Sequence, residues 1–284
     1  MIFVTGATGS VGSHVLQELL KLEEPIRAGV HSRPLDINDV ESHKIDFNKP
    51  ETMAPAFEGV RDLFLASYET WHEQNAVPVA QEAGVQRIVK LSAWQAADEA
   101  FIVGRWHRDV ERAIEDSGIA WTFLRPNMFM QNTITVMGDS IRKENSIYDS
   151  VEDARVSYID TRDVGRVAAK VLTEPGHKGK AYDLSGPEAL THEEIAGMLT
   201  RALGRKIRFV RISDEVYRQR WKAKGAPDEE ADAWVDINRY LRTGESSPVT
   251  SNVEEITGNE PITFEQFCRD YASALSPEKD AMTE

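Results

Sequence analysis

The chain has 284 residues, 41% hydrophobic and 28% charged, a balance that fits a globular protein with a sizeable core and about two domains. Lys and Arg number 33 against 47 Asp and Glu, a net charge of −14. That charge argues against a phosphate-backbone binder, which needs a basic face, and against a protein held on anionic lipid. In chain order, Ile2–Thr5 reads as a strand stopping at Gly6, and Val11–Leu22 as a helix with an apolar face. Ile26–His31 and Ser42–Phe47 read as strands, Thr52–Phe57 as a helix, and Asp62–Ala66 as a buried strand. Trp71–Ala83 is expected to be helical, Val85–Leu91 a strand, Phe101–Ser117 a helix ended by Gly118, and Trp121–Arg125 a sixth strand. Strand and helix alternating at this spacing predict an α/β fold, a doubly wound parallel sheet covered on both faces.

Beyond Asn127 the rhythm changes. Ser140–Arg155 is polar and expected to be loop. Val156–Asp160 and Ala181–Leu184 read as strands returning to the main sheet, with the helix Arg162–Leu172 between them. From Pro187 the chain is mostly helical. Thr191 with Glu194 and Thr263 with Gln266 have capping-box spacing, and Lys206–Ile212 is a candidate strand. The tail Ser276–Glu284 is polar and expected to fray. The expected division is a nucleotide-binding domain over 1–185 and a smaller, mostly helical substrate lobe over 186–284, with 131–155 contributing to the lobe.

The first strand runs into Thr5-Gly6-Ala7-Thr8-Gly9-Ser10-Val11-Gly12, glycines at G-x-x-G-x-x-G spacing. Gly6 allows a tight strand exit, Gly9 a close approach by pyrophosphate, and Gly12 close helix–strand packing. The helix that follows offers its N–H groups and partial positive charge to phosphates. The second strand ends in His31-Ser32-Arg33, and no acid appears before Asp36. An acid there would bond a ribose 2′-hydroxyl. Arg33 can instead fork onto a 2′-phosphate beside Ser32 and His31, favouring NADP(H) with NAD(H) left open. Lys44 joins this local cationic corner. Asp46 is either an acceptor for the adenine amino group or an ordinary turn residue.

None of the seven tyrosines has lysine four residues on, so the Tyr-x-x-x-Lys acid–base pair of short-chain dehydrogenases is missing. TGATGSVG (Thr5–Gly12), His31–Arg33, Gly84–Ser92, His107-x-x-x-Glu111, Phe123–Asn132 and Tyr182–Pro187 together resemble the NmrA-like branch of the atypical short-chain dehydrogenases, nearest to bacterial quinone, azo and triphenylmethane reductases. The resemblance covers the chain to about Ser213. It implies that Ser92 flanks the nicotinamide and that Arg125, Pro126 and Asn127 lie near its carboxamide. The cofactor-binding set also takes in Phe47, Ala66, Ser67 and Leu91 at strand ends. His107 is either a weak proton donor or orienting group, or half of a surface pair with Glu111. Trp94, Met128, Phe129 and Met130 are expected to wall a site for a flat aromatic acceptor, core packing being the other reading. Tyr217, Trp221 and Trp234 are further wall candidates.

The function these residues imply is hydride transfer from NADPH to a quinone, azo, imine or triphenylmethane-type acceptor. Such acceptors are already electron-poor and need no strong base, so positioning is the protein's main contribution. The family also contains NADP(H)-sensing regulators, and a non-catalytic sensor is the alternative. A nucleotide-sugar epimerase is disfavoured by the missing Tyr/Lys pair. One cysteine, Cys268, cannot form an intrachain disulfide, no histidine pair has metal-ligand spacing, and no stretch approaches about 20 apolar residues. The start Met1–Thr5 lacks the basic, long apolar character of a secretory signal. The expectation is a reduced, cytoplasmic protein with no metal, membrane or nucleic-acid partner, monomeric or homodimeric.

Overall fold

The computed structural model describes residues 1–37 and 40–277; within the polar tail, 278–284 lie outside the described residues. The elements in order are β1 (Ile2–Val4), α1 (Gly12–Lys21), β2 (Ile26–Val30), β3 (Glu41–Lys44), α2 (Pro50–Phe57) and β4 (Asp62–Leu65). A 3-10 turn over Thr70–Asn75 leads to α3 (Ala76–Glu82). Then come β5 (Arg87–Leu91), α4 (Ile102–Ser117), β6 (Ala120–Pro126), α5 (Asn132–Thr135), α6 (Gly138–Glu144), β7 (Ser146–Asp149) and α7 (Thr161–Thr173). The chain continues through β8 (Lys180–Leu184), α8 (His192–Leu203), β9 (Arg208–Arg211), α9 (Asp214–Ala223) and α10 (Asp228–Leu241). It finishes with α11 (Asn252–Thr257), α12 (Phe264–Asp270) and α13 (Ala272–Leu275).

Two compact units form. The first contains residues 1–127, 161–184 and 250–260; the second contains 128–160, 185–249 and the chain from 261 on. In the first unit seven parallel strands run in the order β3-β2-β1-β4-β5-β6-β8. β1 and β4 are buried along their whole length, as helices on both faces of a parallel sheet require. One face packs Phe3, Met53, Phe57, Leu63, Ile88, Val110, Ile114 and Phe123 into a core. On the other, α7 lies so close to α1 that a Cβ on Gly165 would stand 2.6 Å from the His14 Cβ. The chain winds outward from β1 to β3 and returns on the other side through β4. The carboxyl ends of β1 and β4 therefore mark the switch point where open α/β sheets bind ligands.

In the second unit β7 and β9 form a small parallel sheet among helices. Three expectations are corrected here. Ser140–Arg155 is not loop: it holds most of α6 and all of β7, whose pairing partner β9 is some sixty residues on and invisible to any local window. Val156–Asp160 does not return to the main sheet. Val156 exchanges both backbone bonds with Leu190, at 3.0 and 2.9 Å, while Ile159 bonds Met128 and Met130. Split between two partners, the segment makes bridges and no ladder. Trp71–Ala83 is also not one helix: Pro78, which has no N–H, sits in the first turn of a separate α3.

Candidate functional site

The turn from β1 into α1 is built around absent side chains. Gly6 takes φ +59°, and a Cβ on it would meet the Ala66 carbonyl oxygen at 2.9 Å; a Cβ on Gly12 would stand 2.2 Å from the Gly6 carbonyl oxygen. Gly9 N–H donates to the Gly6 carbonyl at 2.8 Å. Thr5 Oγ1 donates to the Ala66 carbonyl at 2.8 Å and accepts from the Ala66 N–H at 2.7 Å, tying β1 to the exit of β4. No side chain caps the start of α1 and no acid stands in its first turn. Thr8, Ser10 and Val11 complete this cradle, whose open helix end suits an anion.

Beside it, the exposed His31-Ser32-Arg33 corner leaves the end of β2. Arg33 reaches back to donate from Nη2 to the Thr8 carbonyl at 2.5 Å, which sets its guanidinium on the glycine turn. Lys44 is exposed at the end of β3, in register with Val30. Asp46 performs the turn role: Oδ1 accepts from Asn48 N–H at 2.9 Å and Oδ2 pairs with Lys49 at 3.5 Å. The Asn48 bond, aided by Lys49, lowers its pKa against some burial. Phe47 packs against the sheet core. A cradle fitted to pyrophosphate, with a cation and no carboxylate at the β2 exit, matches a phosphorylated dinucleotide.

Ala66 and Ser67 follow β4, Leu91 ends β5 with Ser92 next, and Arg125 and Pro126 end β6 with Asn127 next. Parallel register brings these ends together: Ser92 N–H donates to the Leu124 carbonyl at 2.7 Å and Asn127 N–H to the Leu184 carbonyl at 2.9 Å. Tyr68 and Trp71, beyond Ser67, are exposed aromatics.

Beneath this edge lie two charged groups of side chains that local spacing does not reveal. Lys90, on β5, is fully buried and pairs with the equally buried Glu73 at 2.6 Å. Its ammonium also faces His107 Nδ1 at 3.1 Å and bonds the Leu91 carbonyl. Desolvation, reinforced by the Lys90 charge, pushes the His107 pKa well below the ordinary histidine value. The imidazole is therefore neutral near pH 7, and with Nδ1 accepting, its proton is on Nε2.

Glu111 is not the surface partner of His107. It is fully buried and accepts from Ser92 Oγ at 2.6 Å, from Arg125 Nε and Nη2 at 2.9 and 2.7 Å, and from Arg108 at 3.1 Å. One carboxylate thus fixes the ends of β5 and β6. A lysine inside a strand flanked by apolar residues was the available sequence signal for Lys90; the i,i+4 spacing on α4 pointed Glu111 to the wrong partner.

Trp94 is buried in the first unit, its N–H on the Pro126 carbonyl at 3.0 Å. In the second unit Met128 and Phe129 line a partly open cavity with Tyr217, Trp234 and Leu241. Met130 does not line it: the side chain is buried, its Cε 3.4 Å from where a Gly186 Cβ would stand, so it belongs to the packing. Trp221 lines a neighbouring, partly open cavity. Among the described residues no cluster of His, Cys, Asp and Glu can hold a metal ion, and no helix is long and apolar enough to cross a membrane.

Fold and turn define a dinucleotide-binding α/β protein of the Rossmann type. The NmrA-like family profile matches residues 1–267, and the chain belongs to that family. It is 32% identical to the NAD(P)H azoreductase of Xenophilus azovorans, over 97% of this chain and 99% of that one. It is 35% identical to the (4-alkanoyl-5-oxo-2,5-dihydrofuran-3-yl)methyl phosphate reductase of Streptomyces griseus, over 98% of this chain and all of that one. The crystal structure of the Escherichia coli NADPH-dependent quinone oxidoreductase QOR2 with NADPH superposes with a TM-score of 0.85. Its identity is 26%, over 97% of this chain and 99% of that one.

Proposed function

We propose that the protein is an NADPH-preferring reductase that transfers hydride to an electron-poor acceptor of quinone, azo, imine or triphenylmethane type, without a Tyr-x-x-x-Lys pair. The observation that carries this reading is Arg33 bonded onto the glycine turn at Thr8, where the β2 exit has no acid. The named activities of the azo and quinone reductase relatives support the acceptor class.

NADPH, when bound, supplies the hydride. The turn amides and the start of α1 hold the pyrophosphate, and Arg33, with Ser32 and His31, takes the 2′-phosphate. Ser92, its hydroxyl proton committed to Glu111, offers lone pairs at the end of β5. Arg125, gripped by the same carboxylate, holds Pro126 and Asn127 in place. His107, neutral and anchored by Lys90, acts as an Nε2–H hydrogen-bond donor that orients its partner. It does not deliver a proton as imidazolium, so the proton on the reduced acceptor comes from solvent or another group. Electron-poor acceptors tolerate this, because hydride addition leads and protonation follows.

The test is incubation with NADPH and a panel of quinones, azo dyes, triphenylmethane dyes and imines, following the reduced-nicotinamide absorbance. Oxidation with at least one acceptor class is expected. Binding of NADPH with no oxidation on any acceptor would overturn the catalytic reading in favour of a non-catalytic NADP(H) sensor.

A further inference from the structure

We propose that the cavity of the second unit holds its ligand by one carbonyl oxygen seated between Asp149 and His192, so that the pair selects a flat apolar molecule bearing a carbonyl over its hydrocarbon counterpart. The proposal rests on the reductase reading only in taking that carbonyl to belong to the acceptor.

Its basis is an incomplete, buried polar pair on the wall of that cavity. The cavity wall carries Met128, Phe129, Trp234 and Leu241 together with the polar Asn132 and Thr133, and Asp149 and His192 line it as well. Both side chains are almost fully buried, with 4% and 2% exposure. Asp149 Oδ2 stands 4.0 Å from His192 Nδ1, too far for a direct hydrogen bond. A single polar atom about 2.8 Å from each would bridge them. His192 Nδ1 has no hydrogen-bond partner, and a buried ring nitrogen left so is costly unless something meets it. The other atoms of the pair are occupied. His192 Nε2 lies 3.2 Å from the Tyr158 hydroxyl. Asp149 Oδ1 accepts from Ser150 N–H at 2.7 Å and Asn238 Nδ2 at 2.5 Å. Tyr158 is itself fixed edge-on against Phe264, and the His192 ring packs on Phe209.

Protonation decides which ligand atom fits. Desolvation raises Asp149 to about 7, against hydrogen bonds from Ser150, Asn238 and Val151 and the charge of Arg242. Desolvation lowers His192 to about 4, so its ring is neutral across the working range. Burial, with the Asp149 charge, raises the Tyr158 phenol, and the same causes raise Tyr217; both remain protonated. Arg220 and Lys224 line the adjoining cavity, which also shares Asp149. With Tyr158 donating to Nε2, His192 carries its proton on Nδ1. Below about pH 7 the neutral Asp149 carboxyl adds its O–H as a second donor. Two donors converging on one point describe a seat for a carbonyl oxygen, on the geometry that stabilises developing negative charge. As Asp149 ionises it becomes an acceptor, and the carbonyl loses that bond.

The test is calorimetric titration of the full chain, without NADPH, with 1,4-naphthoquinone and with naphthalene at pH 6 and pH 8.5. Naphthoquinone is expected to bind about tenfold tighter than naphthalene at pH 6 and to weaken about tenfold by pH 8.5, the scale of one hydrogen bond. Asp149→Asn, which keeps a donor, should bind equally at both pH values. His192→Phe should lose about tenfold for naphthoquinone and nothing for naphthalene. His192→Gln, a smaller polar change, serves if the phenylalanine variant fails to fold. Equal binding of the two probes, no pH dependence in the wild type, or unaltered binding in the His192 variants would overturn the proposal. Turnover of quinones with any of those results would leave the reductase reading intact. The expected binding pattern without NADPH oxidation would sink that reading and leave this one.

Discussion

In the proposed reading Arg33 would choose between the two nicotinamide cofactors, because it is the cation that leaves the β2 exit. His31 and Ser32 are exposed beside it, and the first acid of that segment is Asp36. Arg33→Ala should weaken NADPH binding by about 1.5–3 kcal/mol, the scale of a hydrogen bond to a charged group, and leave NADH nearly unchanged; parallel titrations check this, and equal loss for both cofactors would defeat the assignment. Lys90 poses the opposite situation, a charge with no freedom. Its three donors are taken by Glu73, His107 and the Leu91 carbonyl, the full complement of an ammonium group. Lys90→Met strands the Glu73 carboxylate in the interior and should destabilise the protein by about 3–5 kcal/mol. Lys90→Met with Glu73→Gln, which leaves no lone charge, should recover part of that loss. Urea unfolding of the two variants separates an uncompensated charge from a mere packing defect.

At the level of elements, what sequence shows is whatever is local. The Thr191–Glu194 spacing on α8 forms the reciprocal box, with Thr191 Oγ1 accepting from the Glu194 N–H at 3.2 Å and the Thr191 N–H donating to Glu194 Oε2 at 2.8 Å. Thr191→Ala should therefore cost about 1 kcal/mol in urea unfolding, and Thr191→Ser close to nothing. The β1 turn is legible for the same reason: its glycines, strand and helix are adjacent in the chain. β7 is not legible, because Ser146 and Asp149 are polar yet buried, and its pairing with β9 joins distant segments. Glu111 shows the same limit within the site. Its helix spacing suggested His107, whereas its partners Ser92 and Arg125 stand on two strands, brought to it by the sheet. Asp149 and His192 escaped notice likewise: one lies in a stretch that reads as polar loop, and the other looks like a first-turn residue of α8.

At the scale of the whole molecule, stability against pH reflects every titrating group, and with a net charge of −14 the background slope is large. Comparing variants with the wild type removes that background and isolates Asp149 and His192. Asp149 is raised from 3.8 to about 7, so the folded form holds a proton that the unfolded chain releases. Its contribution is fully present below pH 3.8 and is lost as pH rises toward 7. His192 is lowered from 6.5 to about 4, so the unfolded chain binds the proton that the folded form refuses. Its contribution is present above pH 6.5 and is lost as pH falls toward 4. Between pH 4.5 and 6 the two slopes oppose each other, each approaching about 1.4 kcal/mol per pH unit, and the wild type shows little net dependence from this pair. Asp149→Asn removes the falling slope, so its stability relative to wild type should rise with pH across that window. His192→Gln removes the rising slope, so its relative stability should fall. Urea unfolding of the three proteins at half-unit pH steps measures both, and difference curves that run parallel or flat would show that the two groups are not buried in the protonation states assigned to them.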